Sequence, residues 1–122
     1  MEAKDLMVGD WVSLLGTQYY KVKEIKYEYR VYKIFLQETY SYALEDEIVP
    51  IPLTPEILEK NGWEKTPTGY VFYTDGKRYD NSLWYIFGSN TFVVNTAEFQ
   101  IKFIHQLQHA LKLCGIDKEI EL

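Results

Sequence analysis

The stretch of sequence that decides the fold is YYKVKEIKYEYRVYKIFLQE at residues 19–38. Its first half alternates apolar and polar side chains, which predicts a β-strand with one face in a core. The parity of the apolar positions changes between Val22 and Ile25, and this change predicts a β-bulge near Lys23 and Glu24. Its second half alternates in the same way and predicts the next strand.

The first 50 residues contain further short strands and show no helical period. One strand is predicted at residues 11–15, after the Gly9-Asp10 turn signal and before Gly16. Residues 40–44 and 47–51 are predicted as two short strands or as one kinked strand. Five short strands in so short a stretch are typical of a small β-barrel. We therefore predict an N-terminal SH3-like β-barrel subdomain over residues 1–53.

A short linking helix is predicted directly after this barrel. Thr54 is a favoured N-cap residue and Pro55 a favoured first helical residue, while Asn61-Gly62 is typical of a helix end. The helix opens a second subdomain, which is predicted to cover residues 54–122 and to form one compact unit with the first.

Four strands are predicted in this second subdomain, where they would pair as an antiparallel sheet. Asp75-Gly76 is a hairpin turn signal, and the tripeptide Gly-Ser-Asn at 88–90 is another. The strands are predicted at residues 69–74, 77–80, 83–87 and 91–95.

A C-terminal helix is predicted to cover that sheet, which makes the fold class α+β. Thr96 suits the N-cap position, and the helix is expected to run over residues 97–113 and to end at Gly115. At 100° per residue one face of the helix is apolar. That face comprises Phe99, Phe103, Ile104, Leu107, Ala110, Leu111 and Cys114.

Composition excludes several classes of protein. Aromatic residues make up 16% of the chain, and the formal net charge is −5. A disordered chain would be short of aromatic residues, and a cationic nucleic-acid binder would be basic. Cys114 has no partner for a disulfide, and no signal peptide or membrane span is visible. We therefore expect a cytoplasmic protein with no membrane association.

No group of residues typical of a catalytic or metal-binding site is recognisable in the sequence. His105 and His109 lie four residues apart on the predicted helix, but Gln106 stands where a zinc protease has its glutamate. The helical wheel places both histidines on the solvent side. Cys114 is expected in the core, and the acidic run at 45–47 in a solvated loop. We therefore predict no catalytic residue, no metal site, no cofactor and no enzymatic activity.

The segment 19–33 departs from the acidic composition of the chain. It contains five basic residues against two acidic ones, interleaved with five tyrosines. Tyrosines supply much of the binding energy at protein interfaces, and tyrosines beside lysines also suit base stacking and phosphate pairing. The candidate binding residues are Tyr19, Lys21, Lys23, Tyr29, Arg30 and Tyr32.

These observations predict a non-enzymatic interaction or accessory protein that binds a protein partner. Two alternatives stay open: a nucleic-acid-associated protein that uses the strands at 19–33, and an enzyme of an unrecognised type. A homodimer through the sheet edges is also expected, because exposed edge strands invite pairing between chains.

Three stretches together resemble one group of small bacterial proteins: VGDWV at 8–12, IPLTPEILEKNGW at 51–63 and IKFIHQLQHAL at 101–111. Members of this group are often encoded in prophage-like or mobile regions of gut bacteria, and no activity is established for them. The resemblance spans nearly the whole chain and is most specific in the central stretch. It implies an intracellular α+β protein and assigns no functional residue.

Overall fold

The computed structural model describes residues 1–73, 82–86, 88–94 and 97–122. The chain divides into two compact units. The first unit comprises Met1–Ile51 with Phe103–His105, and the second comprises Pro52–Lys102 with Gln106–Leu122. Two five-stranded antiparallel sheets and two α-helices form the described part, so the predicted α+β class is confirmed.

The first unit contains a five-stranded antiparallel sheet with the order β4-β3-β2-β1-β5. Because β4 and β5 lie at its two edges, the sheet is open, and the closed SH3-like barrel predicted from the sequence is not confirmed. Two single turns of 3-10 helix, Ala3–Asp5 and Glu45–Glu47, flank it. The strands are β1 (Trp11–Leu14), β2 (Gln18–Glu28), β3 (Val31–Leu36), β4 (Tyr42–Ala43) and β5 (Ile48–Val49).

The predicted β-bulge is present in β2. The pairing of β2 with β3 shifts register between Val22 and Glu24, as the change of parity indicated. The bulge lets the apolar positions on both sides of it face one core. The buried residues of that core are Ala3, Leu6, Val12, Val22, Ile34, Leu36, Ala43 and Ile48.

The second unit begins with the predicted linking helix, α1 (Pro55–Lys60). Thr54 is its N-cap, since its hydroxyl accepts a hydrogen bond from the Ile57 N–H at 3.3 Å. The helix ends at Asn61, and Gly62 follows with a left-handed φ of 89° that suits glycine. Both ends of α1 therefore lie where the capping residues placed them.

The second sheet has the order β10-β9-β8-β7-β6 and is antiparallel throughout. A turn at 88–90 joins β8 to β9, as predicted. The Asp75-Gly76 turn, the strand at 77–80 and the Thr96 cap lie outside the described residues. The strands are β6 (Glu64–Lys65), β7 (Tyr70–Tyr73), β8 (Ser82–Ile86), β9 (Thr91–Val94) and β10 (Ala97–Gln100).

The prediction of a helix from residue 97 was wrong. Residues Ala97–Gln100 form β10, which pairs with β9 and sets Phe99 opposite Phe92. Glu98 and Gln100 are exposed while Phe99 is half-buried, so the side chains alternate as a strand requires. The helix α2 spans only Ile104–Leu113. Phe99 and Phe103 therefore do not belong to its apolar face, whereas Ile104, Leu107, Ala110 and Leu111 are buried.

Ser13 on β1 provides a test of the core of the first unit. Its side chain is buried, and its hydroxyl has no hydrogen-bond partner among the described residues. An unsatisfied buried hydroxyl destabilises a fold by about 1–3 kcal/mol, so we expect Ser13→Ala to raise the free energy of unfolding by about 1 kcal/mol. Urea denaturation measures this change.

Thr39→Val is the control for Ser13→Ala. The Thr39 hydroxyl donates to the Leu36 carbonyl oxygen at 2.9 Å, so removing it should lower the free energy of unfolding. An equal loss in the free energy of unfolding for both variants would contradict the lack of a hydrogen-bond partner at the Ser13 hydroxyl.

Candidate binding surface on the β2–β3 hairpin

The tip of the β2–β3 hairpin consists of Tyr29 and Arg30 alone. Glu28 pairs with Val31, so the loop has two residues. Both have left-handed backbones, with φ of 52° at Tyr29 and 67° at Arg30, which is the geometry of a type I′ turn. Such turns strongly favour Asn-Gly, because other residues are strained there. The local fold therefore does not explain why a tyrosine and an arginine occupy this tip.

The two faces of the hairpin differ in character. Val22, Ile34 and Leu36 face the core of the first unit. Because neighbouring residues of a strand point to opposite faces, Lys33 and Phe35 lie on the other side of the sheet, which we call the outer face. This face is where the lysines and aromatic rings of the hairpin meet.

Five side chains of the outer face form a continuous cluster, which we call the aromatic–lysine ladder. The Lys33 ammonium lies 5.7 Å from the centre of the Tyr29 ring and 4.8 Å from that of Tyr42. The Tyr42 and Phe35 rings are 5.7 Å apart, and the Lys26 ammonium lies 5.5 Å from the centre of Phe35. Each of these contacts is within cation–π or aromatic pairing distance.

Two glutamates neutralise the lysines of the ladder. Lys33 is 3.4 Å from the Glu28 carboxylate, and Lys26 is 3.7 Å from that of Glu24. Tyr29 itself is 90% exposed, and Tyr42 is also exposed. The ladder is therefore an aromatic surface with balanced charge and little lysine charge left over.

The six candidate residues predicted from the sequence do not form one site. Tyr19 and Tyr29 are ten residues apart along β2 and its turn, a separation of roughly 30 Å. Lys21 lies over the Trp11 ring at 5.2 Å. Tyr32 lies on the core side beside Tyr27, with ring centres 4.7 Å apart.

Exposure also divides these six candidates. Lys21 and Tyr32 are half-buried, while four are exposed: Tyr19, Lys23, Tyr29 and Arg30.

The sequence-based candidates omitted four members of the ladder: Lys26, Lys33, Phe35 and Tyr42. Alternation around the apolar Ile34 already places Lys33 and Phe35 together on the opposite face, so these two members could have been found from the sequence. The pairing of Phe35 with Tyr42 depends on the register between β3 and β4. Six intervening residues separate the two in the sequence, and no pattern there indicates that register.

A cleft of about 490 Å³ lies beside the hairpin in the first unit. Lys4 is 3.0 Å from the Glu2 carboxylate, and its hydrogen bond to Glu2 raises the pKa of the Lys4 ammonium. Glu45 accepts a hydrogen bond from the Ala3 N–H at 2.7 Å. Asp46 is exposed and forms no ion pair with any described residue. The cleft is lined by Met1, Glu2, Lys4, Tyr32, Glu45 and Asp46.

One of the two histidines does not occupy the position predicted for it. His105 is only 6% exposed, and its ring stacks on Phe103 at 6.0 Å between centres, so its predicted solvent position was wrong. The reason is that Phe103–His105 belongs to the first unit and not to a free helical face. His109 is half-buried. Within the described ranges, no three His, Cys, Asp or Glu side chains group as metal ligands.

The tip itself can be tested by Tyr29→Asn combined with Arg30→Gly. A left-handed backbone strains most residues by about 1–2 kcal/mol. We therefore expect the double variant to raise the free energy of unfolding by about 1 kcal/mol, as measured by urea denaturation. This gain is smaller than the full strain, because glycine is more flexible than arginine in the unfolded chain. Tyr19→Asn on the regular strand should not stabilise. A double variant that is less stable than the parent protein would contradict the strained turn.

A scan against protein-family models and searches of curated proteins and of solved structures find no match for this chain. No helix among the described residues is long and apolar enough to cross a membrane. The function therefore has to be argued from the geometry of the surface.

Proposed function

We propose that this chain is a non-catalytic interaction protein that binds a protein partner through the outer face of the first sheet, around the aromatic–lysine ladder. The observation that carries the proposal is the combination of exposed rings with balanced charge. Interfaces are enriched in tyrosine and depleted of unpaired charge at their centres. The ladder has both properties in one continuous cluster.

The geometry favours a protein over a nucleic acid as the partner. A base stacks on an open ring face, but Lys26 lies over the Phe35 ring and Lys33 lies over the Tyr42 ring. Glu24 and Glu28 balance these two lysines. The ladder therefore offers a nucleic acid few uncovered ring faces for base stacking and few unbalanced ammonium groups for its phosphates.

A nucleic-acid partner is the second candidate, because two cations of the hairpin are available. Lys23 and Arg30 are exposed and form no ion pair with a described residue. A single-stranded nucleic acid could pair its phosphates with them and stack a base on Tyr29. Oligothymidylate binding between 50 and 200 mM salt tests this candidate, since neutralised phosphates make affinity fall steeply with salt.

The protein-binding proposal is tested by site-specific photo-crosslinking in the cells that encode this chain. A photoreactive amino acid replaces Tyr42 in the ladder or, as a matched control, Leu113, which is exposed in the second unit. We expect one or a few defined protein adducts at position 42 and none of them at 113. Absence of adducts at 42, or the same adducts at both positions, would overturn the proposal.

Three further assignments belong to the proposal. The first sheet is a small, incompletely closed SH3-like barrel; the support is that β5 returns to pair with β1 and that a bulge bends β2. The protein acts in the cytoplasm and derives from a mobile element; the support is the sequence resemblance to small bacterial proteins from mobile regions. The chain self-associates through its sheet edges. Sedimentation at high protein concentration tests this prediction, and a strict monomer would reject it.

A further inference from the structure

β3 has an open edge next to the tip of the hairpin. β4 pairs with β3 only at Ile34 and Phe35. No described strand pairs with Val31–Lys33 on that side, although the 3-10 turn Glu45–Glu47 that follows β4 contacts β3. The chain leaves the sheet immediately after β4, because Glu45–Glu47 form a 3-10 turn. The Glu45 carbonyl oxygen accepts from the Ile48 N–H and the Met1 amino group instead of continuing the ladder.

The main-chain groups of Tyr32 point towards this open edge. Residues of a strand direct their N–H and C=O groups alternately to the two neighbouring strands. The Gln37 N–H donates to the Lys21 carbonyl oxygen on the β2 side at 2.9 Å, so residues of the same parity, including Val31 and Lys33, also bond to β2. The N–H and C=O of Tyr32 therefore face away from β2, where the described residues provide no strand.

The 490 Å³ cleft lies at the same edge, because Tyr32 is one of its lining residues. Carboxylates are in excess in this cleft: Glu2, Glu45 and Asp46 face only Lys4 and the amino group of Met1. The Met1 amino group donates to the Glu45 main-chain oxygen at 2.9 Å. An incoming cation would therefore find Asp46 without an ion pair.

We propose that the partner contributes an extended strand that adds to the open edge of β3 and places a lysine or arginine side chain in the cleft beside Tyr32. This inference rests on the proposed function and names its binding mode. Strand addition obtains affinity from main-chain hydrogen bonds and specificity from alternate side chains. Here the outward N–H and C=O groups of Tyr32 supply the main-chain hydrogen bonds, and the cleft supplies the side-chain specificity.

The alternation of the added strand defines the partner sequence. The side chain opposite Tyr32 shares its face and enters the cleft, where a long basic side chain can lie along the tyrosine ring and reach Asp46. The residues on either side of it point to the outer face, towards Val31 and Lys33. Apolar side chains suit those positions, because Val31 is exposed and Glu28 already balances the charge of Lys33. The recognised pattern is one basic residue between two apolar ones.

A phage-displayed library of random dodecapeptides is the probe for this proposal. Peptides selected on the intact chain are synthesised, and their affinities are measured by titration calorimetry. We expect enrichment of a basic residue flanked by apolar residues. We also expect the Tyr32 amide, which no described strand pairs with on that side, to exchange with deuterium much more slowly in the complex.

Two pairs of variants separate the side-chain contribution from the main-chain contribution. Asp46→Lys reverses the charge in the cleft and should weaken binding of the selected peptides by about tenfold or more. Glu38→Lys makes the same charge change outside the cleft and should leave affinity unchanged. Tyr32→Pro removes the outward N–H, which is tolerated on an open edge, and should weaken binding more than Tyr32→Ala.

The outcomes distinguish this inference from the proposed function. Peptides without a basic residue, or binding that neither protects the Tyr32 amide nor responds to Asp46→Lys, would overturn strand addition. Defined protein adducts at position 42 would in that case leave the proposed function standing. Failure to select any peptide, together with an absence of crosslinks at position 42, would overturn both. If Tyr32→Pro does not fold, amide exchange and Asp46→Lys still decide the question.

Discussion

Replacing Phe92 by alanine is expected to lower the free energy of unfolding by about 3–5 kcal/mol, the largest effect of any substitution considered for this chain. Phe92 is 0% exposed and lies opposite Tyr85 on β8. Its ring centre is 6.0 Å from that of Trp63 and 6.1 Å from that of Phe99. Removing this ring leaves a cavity beside the rings of Trp63 and Phe99, which the sheet cannot fill by a small shift.

Urea denaturation followed by tryptophan fluorescence measures the loss, since Trp63 reports directly on this core. Ile86→Ala is the matched control, because Ile86 lies on β8 in the same sheet but is exposed. We expect the control to change the free energy of unfolding by less than about 1 kcal/mol. A loss below about 1 kcal/mol for Phe92→Ala would show that Phe92 is not central to this core.

Replacing Asn61 by alanine is expected to lower the free energy of unfolding by about 2–3 kcal/mol. Asn61 is 3% exposed, and its amide group donates to the Ile57 oxygen at 2.7 Å and to the Glu121 oxygen at 2.8 Å. Its side-chain oxygen accepts from the Glu121 N–H at 2.7 Å. One side chain thus joins the end of α1 to a segment distant in sequence, which also contains buried Ile120.

Amide exchange at Glu121 should become fast in Asn61→Ala, and urea denaturation gives the energetic loss. Asn61→Asp is the informative second variant. It keeps the acceptor for the Glu121 N–H but sets a carboxylate oxygen against the carbonyl oxygens of Ile57 and Glu121, so it should be at least as unstable as the alanine variant at neutral pH. An aspartate variant as stable as the parent protein would contradict this hydrogen-bond arrangement.

The β-bulge and the linking helix were predictable because their signals are local. A change in apolar parity between Val22 and Ile25 has only one simple structural explanation, an extra residue in the strand. Thr54 and Pro55 act within one turn of their own positions. Both elements lie where these residues indicated.

Residues 97–103 were assigned wrongly because their pattern fits two periods. Alternation of Glu98, Phe99, Gln100 and Ile101 suits a strand, while Phe99 and Phe103 are also spaced as neighbours on a helix. Pairing with β9 decided the outcome, since it satisfies the main-chain groups of β10 and sets Phe99 against Phe92. A short apolar segment of this kind does not carry that information by itself.

The candidate site shows the same division between local and tertiary information. The sequence by itself determined that residues 19–33 form a basic, tyrosine-rich hairpin in an acidic protein, because composition and period-two alternation are properties of the chain. Only the tertiary structure decided that Tyr42 joins Phe35 and Lys33 on the outer face, and that β4 ends early enough to leave Tyr32 beside a cleft. The physical reason is that strand register and the end of a strand depend on hydrogen bonds and side-chain packing between segments, such as the hydrogen bond of the Met1 amino group to Glu45. The alternation of one strand does not encode these interactions.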